Sequence, residues 1–268
     1  MIHPSFITAN YVARALNYTG KSVSEWGRFD EATLAAALPE TFRDICADIA
    51  DAGFERVDVW ASHCHFNQHD REDFLEQTKG WISQFDLTIS SYAGGILTDE
   101  LANVERAFRF MKQLGAPIFA GGMWGATPWE ELLGFTDNLC GKLGLRWGYE
   151  NHPEKSARDI LNKIGDGKYQ HIGVALDTGW CGTQGFDAVE TLKRVHEKLF
   201  IVHLKDVRAA GGHDTCAAGD GIVECEKVVR YLRDSGWSGT LCIEHEPFDR
   251  DPMPEVKTSL KRVQEWLA

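Results

Sequence analysis

Four segments in the second half of the chain each end an apolar run on side chains that can ligate a metal or move a proton. They read Tyr149-Glu150-Asn151-His152, Leu176-Asp177-Thr178-Gly179-Trp180, Val202-His203-Leu204-Lys205-Asp206 and Ile243-Glu244-His245-Glu246-Pro247. An ionised group at the end of an apolar strand is costly unless it is paired or holds a metal. One such residue is unremarkable. Four in series, closing successive apolar runs, point to a metal site. Glu150, Asp177, His203 and one of Glu244 or Glu246 supply three carboxylates and an imidazole. That set suits a divalent ion, Mn²⁺ first, with Mg²⁺, Co²⁺ or Zn²⁺ as alternatives. Four protein ligands leave about two positions on an octahedral ion, room for a carbonyl and the neighbouring hydroxyl of a carbohydrate. Such an ion stabilises the enediolate left when the adjacent carbon loses its proton. Flanking carboxylates can carry that proton.

Other residues fall near the same run ends. Strand residues two apart share a face, so His152 is expected beside Glu150, as a partner for a substrate hydroxyl or as an acid. Lys205 stands in the same relation to His203, whereas Asp206 is expected to hold a loop or helix terminus. In Ser62-His63-Cys64-His65, His63 is expected in the pocket and His65 on the surface. Trp124 and Trp180 can form walls on which a sugar ring stacks. The Gly-rich GGHDTCAAGDG, 211–221, offers two alternatives: amides for a phosphate at a helix N-terminus, or His213 and Asp214 for sugar hydroxyls.

Eight apolar runs have the length and residue bias of buried strands: 4–8, 56–60, 87–92, 117–122, 145–150, 171–177, 200–205 and 240–246. Amphipathic stretches lie between them. Residues 40–54 space Phe42, Ile45, Ile49 and Phe54 as one helix face. Residues 99–116 do the same with Leu101, Val104, Phe108, Met111 and Leu114, and Gly115 stands where a helix ends. A third stretch covers 221–237. Eight strand–helix units in 268 residues fit a single (β/α)₈ TIM barrel, with 1–268 as one domain. A doubly wound sheet would carry a Gly-rich phosphate loop after its first strand, and ANYVARALNYTG has none. Residues 10–39 form a long segment between the first strand and first helix, on the face where barrels carry their sites. With Tyr11, Tyr18, Trp26 and Phe29 they are expected to cover the pocket partly.

The balance of 28 basic against 40 acidic residues gives a net charge of −12, which repels nucleic acid. No apolar run is long enough for a membrane span. The N-terminus does not read as a secretory signal. The seven cysteines, with no C-x-x-C pair, read as thiols of a reducing cytoplasm. A homo-oligomer is left open.

The segments YENH, LDTGW, HLKD and IEHEP resemble those of the xylose isomerase-like sugar isomerases and epimerases. The resemblance spans the barrel, with its signature in 145–250. It implies that Glu150, Asp177, His203 and Glu244 are the metal ligands and that Glu150 and Glu244 also transfer protons. The choice of Glu244 over Glu246 rests on this resemblance. Two departures stand out: Trp180 occupies a position where many members carry a His, and Ala209 one where epimerases carry an Arg. The implied activity is a divalent-metal-dependent isomerase or epimerase acting through an enediolate. The alternative is a lyase or dehydratase on a keto-sugar, keto-glycoside or inosose, with His152 as the acid. The net charge and Trp180 speak against the family's more distant apurinic endonucleases.

Overall fold

The computed structural model describes residues 2–68 and 72–268. Eight parallel strands close a barrel: β1 (His3–Ile7), β2 (Arg56–Trp60), β3 (Thr88–Leu97), β4 (Ile118–Trp124), β5 (Arg146–Glu150), β6 (Ile172–Asp177), β7 (Leu199–Leu204) and β10 (Thr240–Ile243). Around the ring the order is β1-β10-β7-β6-β5-β4-β3-β2. Between β7 and β10 lies a small antiparallel ribbon of β8 (Asp206–Val207) and β9 (Thr215–Cys216). The expected strands are all present. The last is shorter than expected, ending at Ile243, so Glu244 and Glu246 stand on the chain leaving the barrel mouth.

The outer helices include α2 (Pro39–Asp51), α3 (Glu72–Gln84), α4 (Leu101–Leu114), α5 (Trp129–Leu143), α6 (Ala157–Lys163), α8 (Ala188–Val195), α9 (Cys225–Asp234) and α10 (Met253–Leu267). Their apolar faces meet the outward-facing strand residues, with Phe42, Phe108, Phe119 and Trp147 fully buried between the layers. Truncating one of these large side chains to Ala costs about 3–5 kcal/mol. Helix α4 ends at Gly115, whose φ of 91° is left-handed, the conformation that glycine adopts without strain. Inside the barrel the layer is made of small or slim residues, among them Ala93, Ala120, Ala175, Ile201 and Cys242. Such a narrow filling keeps the strand ends free to carry larger polar groups above it. All seven cysteines are buried and unpaired.

Two features depart from the sequence expectation. Residues 10–39 are not a plain loop: they hold short 3-10 turns and helix α1 (Trp26–Ala36). Its apolar side packs Phe29 against Phe248, ring centroids 5.5 Å apart. A second unforeseen helix, α7 (Thr178–Gln184), starts directly at the end of β6. No helix among the described residues is long and apolar enough to cross a membrane.

Candidate metal centre

Parallel pairing sets Asp177 opposite His203 and Cys242 opposite His203 on the other side. The ends of β5, β6, β7 and β10 therefore converge at one level. Glu150, Asp177, His203 and Glu244 each bring a donor atom within 4.8 Å of the others. His203 Nδ1 lies 2.8 Å from Glu150 Oε1 and 3.0 Å from Glu244 Oε2. The one Nδ1 proton is donated to Glu150, and Glu244 Oε2 accepts no hydrogen bond. Asp177 Oδ2 and His203 Nε2 are likewise buried without a hydrogen-bond partner. Burial works against a charged His203, but the negative charges of Glu150 and Glu244 outweigh it and hold its pKa well above the ordinary value.

Each group is oriented by its own neighbours. Asp177 Oδ1 caps α7 by accepting from the Trp180 N–H at 2.8 Å, so its other oxygen is turned to the cluster. Asn151 grips the backbone of Asp177 with both ends of its amide: Oδ1 accepts from the Asp177 N–H at 2.9 Å and Nδ2 donates to the Asp177 carbonyl at 3.0 Å. Asn10 does the same around Glu244, donating to the Ile243 carbonyl at 3.2 Å and accepting from the His245 N–H at 2.8 Å. These two asparagines were not anticipated. Their signal was faint: an Asn beside one strand end, and another just after the first strand.

Lys205 is buried inside the cluster. Its Nζ lies 3.1 Å from Asp177 Oδ2, 2.9 Å from Glu244 Oε1 and 2.8 Å from Glu246 Oε2. Its aliphatic stem runs against Gly179, where a Cβ would collide with it. Glu246 thus joins the site through Lys205. Burial raises the Glu246 pKa to about 8, opposed by Lys205 and reinforced by Glu244.

A divalent ion fits this donor set. Three buried donor atoms without hydrogen-bond partners, next to an excess of carboxylates, meet the requirement that buried charge be paired or bound to a metal. Glu150, Asp177, His203 and Glu244 are the residues that would hold it.

Glu150, His203, Lys205, Glu244 and Glu246 line a cavity of about 670 Å³ at the barrel mouth. The sequence profile of the xylose isomerase-like TIM barrel matches residues 46–267. The chain belongs to this family. Within it, the chain is 23% identical over 274 residues to an inosose dehydratase of Clostridium perfringens, covering 84% of this chain and 90% of the relative. Two solved structures share the fold. One is a D-psicose 3-epimerase from Clostridium cellulolyticum H10, with a TM-score of 0.70, 11% identity and 99% of each chain covered. The other is a probable 3-DHS dehydratase from Bacillus anthracis, with a TM-score of 0.67, 13% identity and 98% of each chain covered.

The remaining expected site residues of this family member divide by position. His152, Trp180, His213, Lys205 and Trp124 all line the cavity. The His213 ring stacks on Trp180 with centroids 4.0 Å apart, and His152 packs on Trp180 at 5.2 Å. Burial, aided by the charge of Lys205, lowers His213 to about 3, so its ring is neutral at pH 7. His63 is placed otherwise than expected. A 3-10 turn over Ala61–His63 follows β2 and breaks the strand's alternation. His63 Nδ1 sits 3.1 Å from Thr8 Oγ1, and the residue lines a separate cavity of about 220 Å³. His65, expected on the surface, lines the main cavity instead. The phosphate alternative for 211–221 also meets a correction. The Gly219, Gly221 and Val223 amides each donate to Asp206 at 2.9 Å. That carboxylate fills the place of an external anion, and Asp206 holds the loop as expected. From the 10–39 segment, Val23, Trp26, Asp30 and Leu34 line the cavity.

Proposed function

We propose that the chain is a divalent-metal-dependent sugar isomerase or epimerase acting through an enediolate on a ketose or related carbohydrate. The observation that carries this reading is the buried cluster of Glu150, Asp177, His203 and Glu244, in which Asp177 Oδ2, His203 Nε2 and Glu244 Oε2 make no hydrogen bond and of which Glu150, His203 and Glu244 line a substrate-sized cavity. A divalent ion held there supplies Lewis acidity, polarising a carbonyl and favouring loss of the proton next to it. Mn²⁺ is the first choice among such ions for an O₃N set.

Glu150 and Glu244 enter the site from β5 and from the end of β10, with β6 and β7 between them in the ring. Two carboxylates arriving from different sides can remove a proton on one face of a sugar and return it on the other. The positive Lys205, which touches Asp177, Glu244 and Glu246, offsets part of the carboxylate charge. The stacked His213–Trp180 pair and Trp124 supply walls for the sugar ring. Helix α1 and the turn before it shield one side of the cleft from water.

A second reading, elimination of water from a keto-sugar or inosose, is favoured by the similarity to the inosose dehydratase. It begins with the same proton removal and then needs an acid at the leaving group; His152, 3.9 Å from Glu150, is the candidate. The test is a screen of ketoses, inososes and 3-keto-glycosides with added Mn²⁺ in deuterated water. The first reading expects deuterium at the inverted carbon of both substrate and product, with Glu244→Gln abolishing the exchange. An unsaturated product, formed with release of water and lost in His152→Ala, would replace it with the second.

A further inference from the structure

We propose that the half of the cleft away from the carboxylates seats an aromatic group carried by the sugar, making the substrate a keto-glycoside with an aryl aglycone, whose ring ketone supplies the carbonyl, rather than a free monosaccharide. The inference rests on the metal-dependent sugar reading and names the substrate class for that site. A cavity of about 670 Å³ lies mid-range among pockets that enclose drug-sized ligands, larger than one sugar ring needs.

The cavity is divided by polarity. One end holds the glutamates, Lys205, His152, His203 and His213. The other is walled by Val23, Trp26, Leu34, Trp60, Met123 and Trp124. Trp124 is 56% exposed and Leu34 37%, and both lie in the same apolar lining, the kind of patch that marks a binding surface. The Trp124 ring lies against Gly95 and Gly122, where any Cβ would press on it. The glycines of β3 and β4 thereby let the indole lie flat over the strand ends. The Trp26 wall is fixed: its ring packs edge-on against Trp60 at 5.5 Å and against Phe248 at 6.4 Å. A rigid aromatic slot loses little entropy when a planar group enters it.

The polar groups at this end decide between a second sugar and an apolar aglycone. Ser62 donates its hydroxyl to Asp30, and His65 Nδ1 accepts from the Asn67 amide at 3.1 Å. Ser62 and Asp30 thus engage each other, and His65 engages the Asn67 backbone. A second sugar ring would bury hydroxyls against walls that give them few partners, at a cost for each. An aromatic aglycone brings none and gains ring–ring contacts.

The test is calorimetric binding of matched methyl and 4-nitrophenyl D-glucopyranosides, both anomers, to the full chain supplemented with Mn²⁺. The nitrophenyl glycoside of one anomer is expected to bind at least about tenfold tighter than its methyl partner. In Trp124→Ala and in Leu34→Asp, both at exposed positions that leave the barrel packing untouched, the gap is expected to fall to about twofold. Equal binding of the pair, no binding of either, or a gap unchanged in both variants would overturn the proposal. Metal content of the same samples is read separately. Nitrophenyl preference without bound metal would remove the metal reading and keep the aromatic seat. Bound metal without the preference would do the reverse.

Discussion

Two polar clusters sit inside this barrel, and they solve the same problem in opposite ways. Near mid-barrel, Asp58 is fully buried among Ser5, Ser91 and Cys242. Both serine hydroxyls donate to it, Ser91 at 2.5 Å, and the Cys242 thiol adds a third bond. Burial raises its pKa, while those hydrogen bonds and the charge of His203 oppose the rise. Its oxygens are engaged within the protein. At the mouth, Glu150, Asp177, His203 and Glu244 are comparably buried, yet three donor atoms find no hydrogen-bond partner. A single residue, Ile243, separates Cys242 of the first cluster from Glu244 of the second. A buried carboxylate is therefore not by itself a sign of a site. What marks the mouth is hydrogen-bonding capacity left unused at Asp177 Oδ2, His203 Nε2 and Glu244 Oε2, although Lys205 and His203 stand at ion-pair distance from the two carboxylates.

That contrast can be broken or sharpened by substitution. The largest effect is expected from Glu244→Gln, which keeps the shape and removes the charge. Solvent-exchange turnover should fall by about 10²–10⁴, measured as deuterium entry into the substrate. Next come Asn10→Ala and Asn151→Ala, which release the backbone around Glu244 and Asp177 without touching a donor atom. Each should weaken divalent-ion binding by roughly 10–100-fold in competition with a chelating dye. Asp58→Ala should do the opposite. It strands Ser5 and Ser91 and lowers unfolding free energy by about 1–3 kcal/mol, seen by denaturant titration, while ion stoichiometry stays as in the parent.

The smallest effect lies behind the mouth, at Glu255. The hydrogen bond from His245 lowers its carboxyl to about 2, against burial and with help from Arg250. A depressed carboxylate contributes stability above its unfolded pKa of about 4.5 and loses it as pH falls toward 2. The melting-temperature gap between parent and Glu255→Gln should thus be widest at neutral pH and shrink below about pH 4.5. Partial exposure of Glu255 keeps that gap modest.

Much of this was legible in the sequence because barrel strands and metal donors both leave local marks. Apolar runs of strand length located all eight strands, and the polar residue closing each of the last four runs located the cluster. Gly115 ended α4 where expected. What was hidden depends on contacts distant in sequence. The pairing of Asn10 with Glu244 spans the whole barrel. Helix α1 lacks a strong amphipathic signature, since only Phe29 and Thr33 of its residues are buried. The placement of His63 and His65 turned on a single 3-10 turn after β2, which alternation alone cannot foresee. Lys205 was expected to face substrate. Its grip on three carboxylates appears only when the ends of β6, β7 and β10 meet.

The central claim is that the mouth cluster of Glu150, Asp177, His203 and Glu244 holds one divalent ion. Calorimetric titration of Mn²⁺ into the metal-stripped chain and into Asp177→Asn tests it most directly. The account predicts one ion per chain in the parent and loss of that binding in the variant, with both proteins folded. Saturation of Asp177→Asn with the parent's affinity, or no ion bound by the parent, would contradict it.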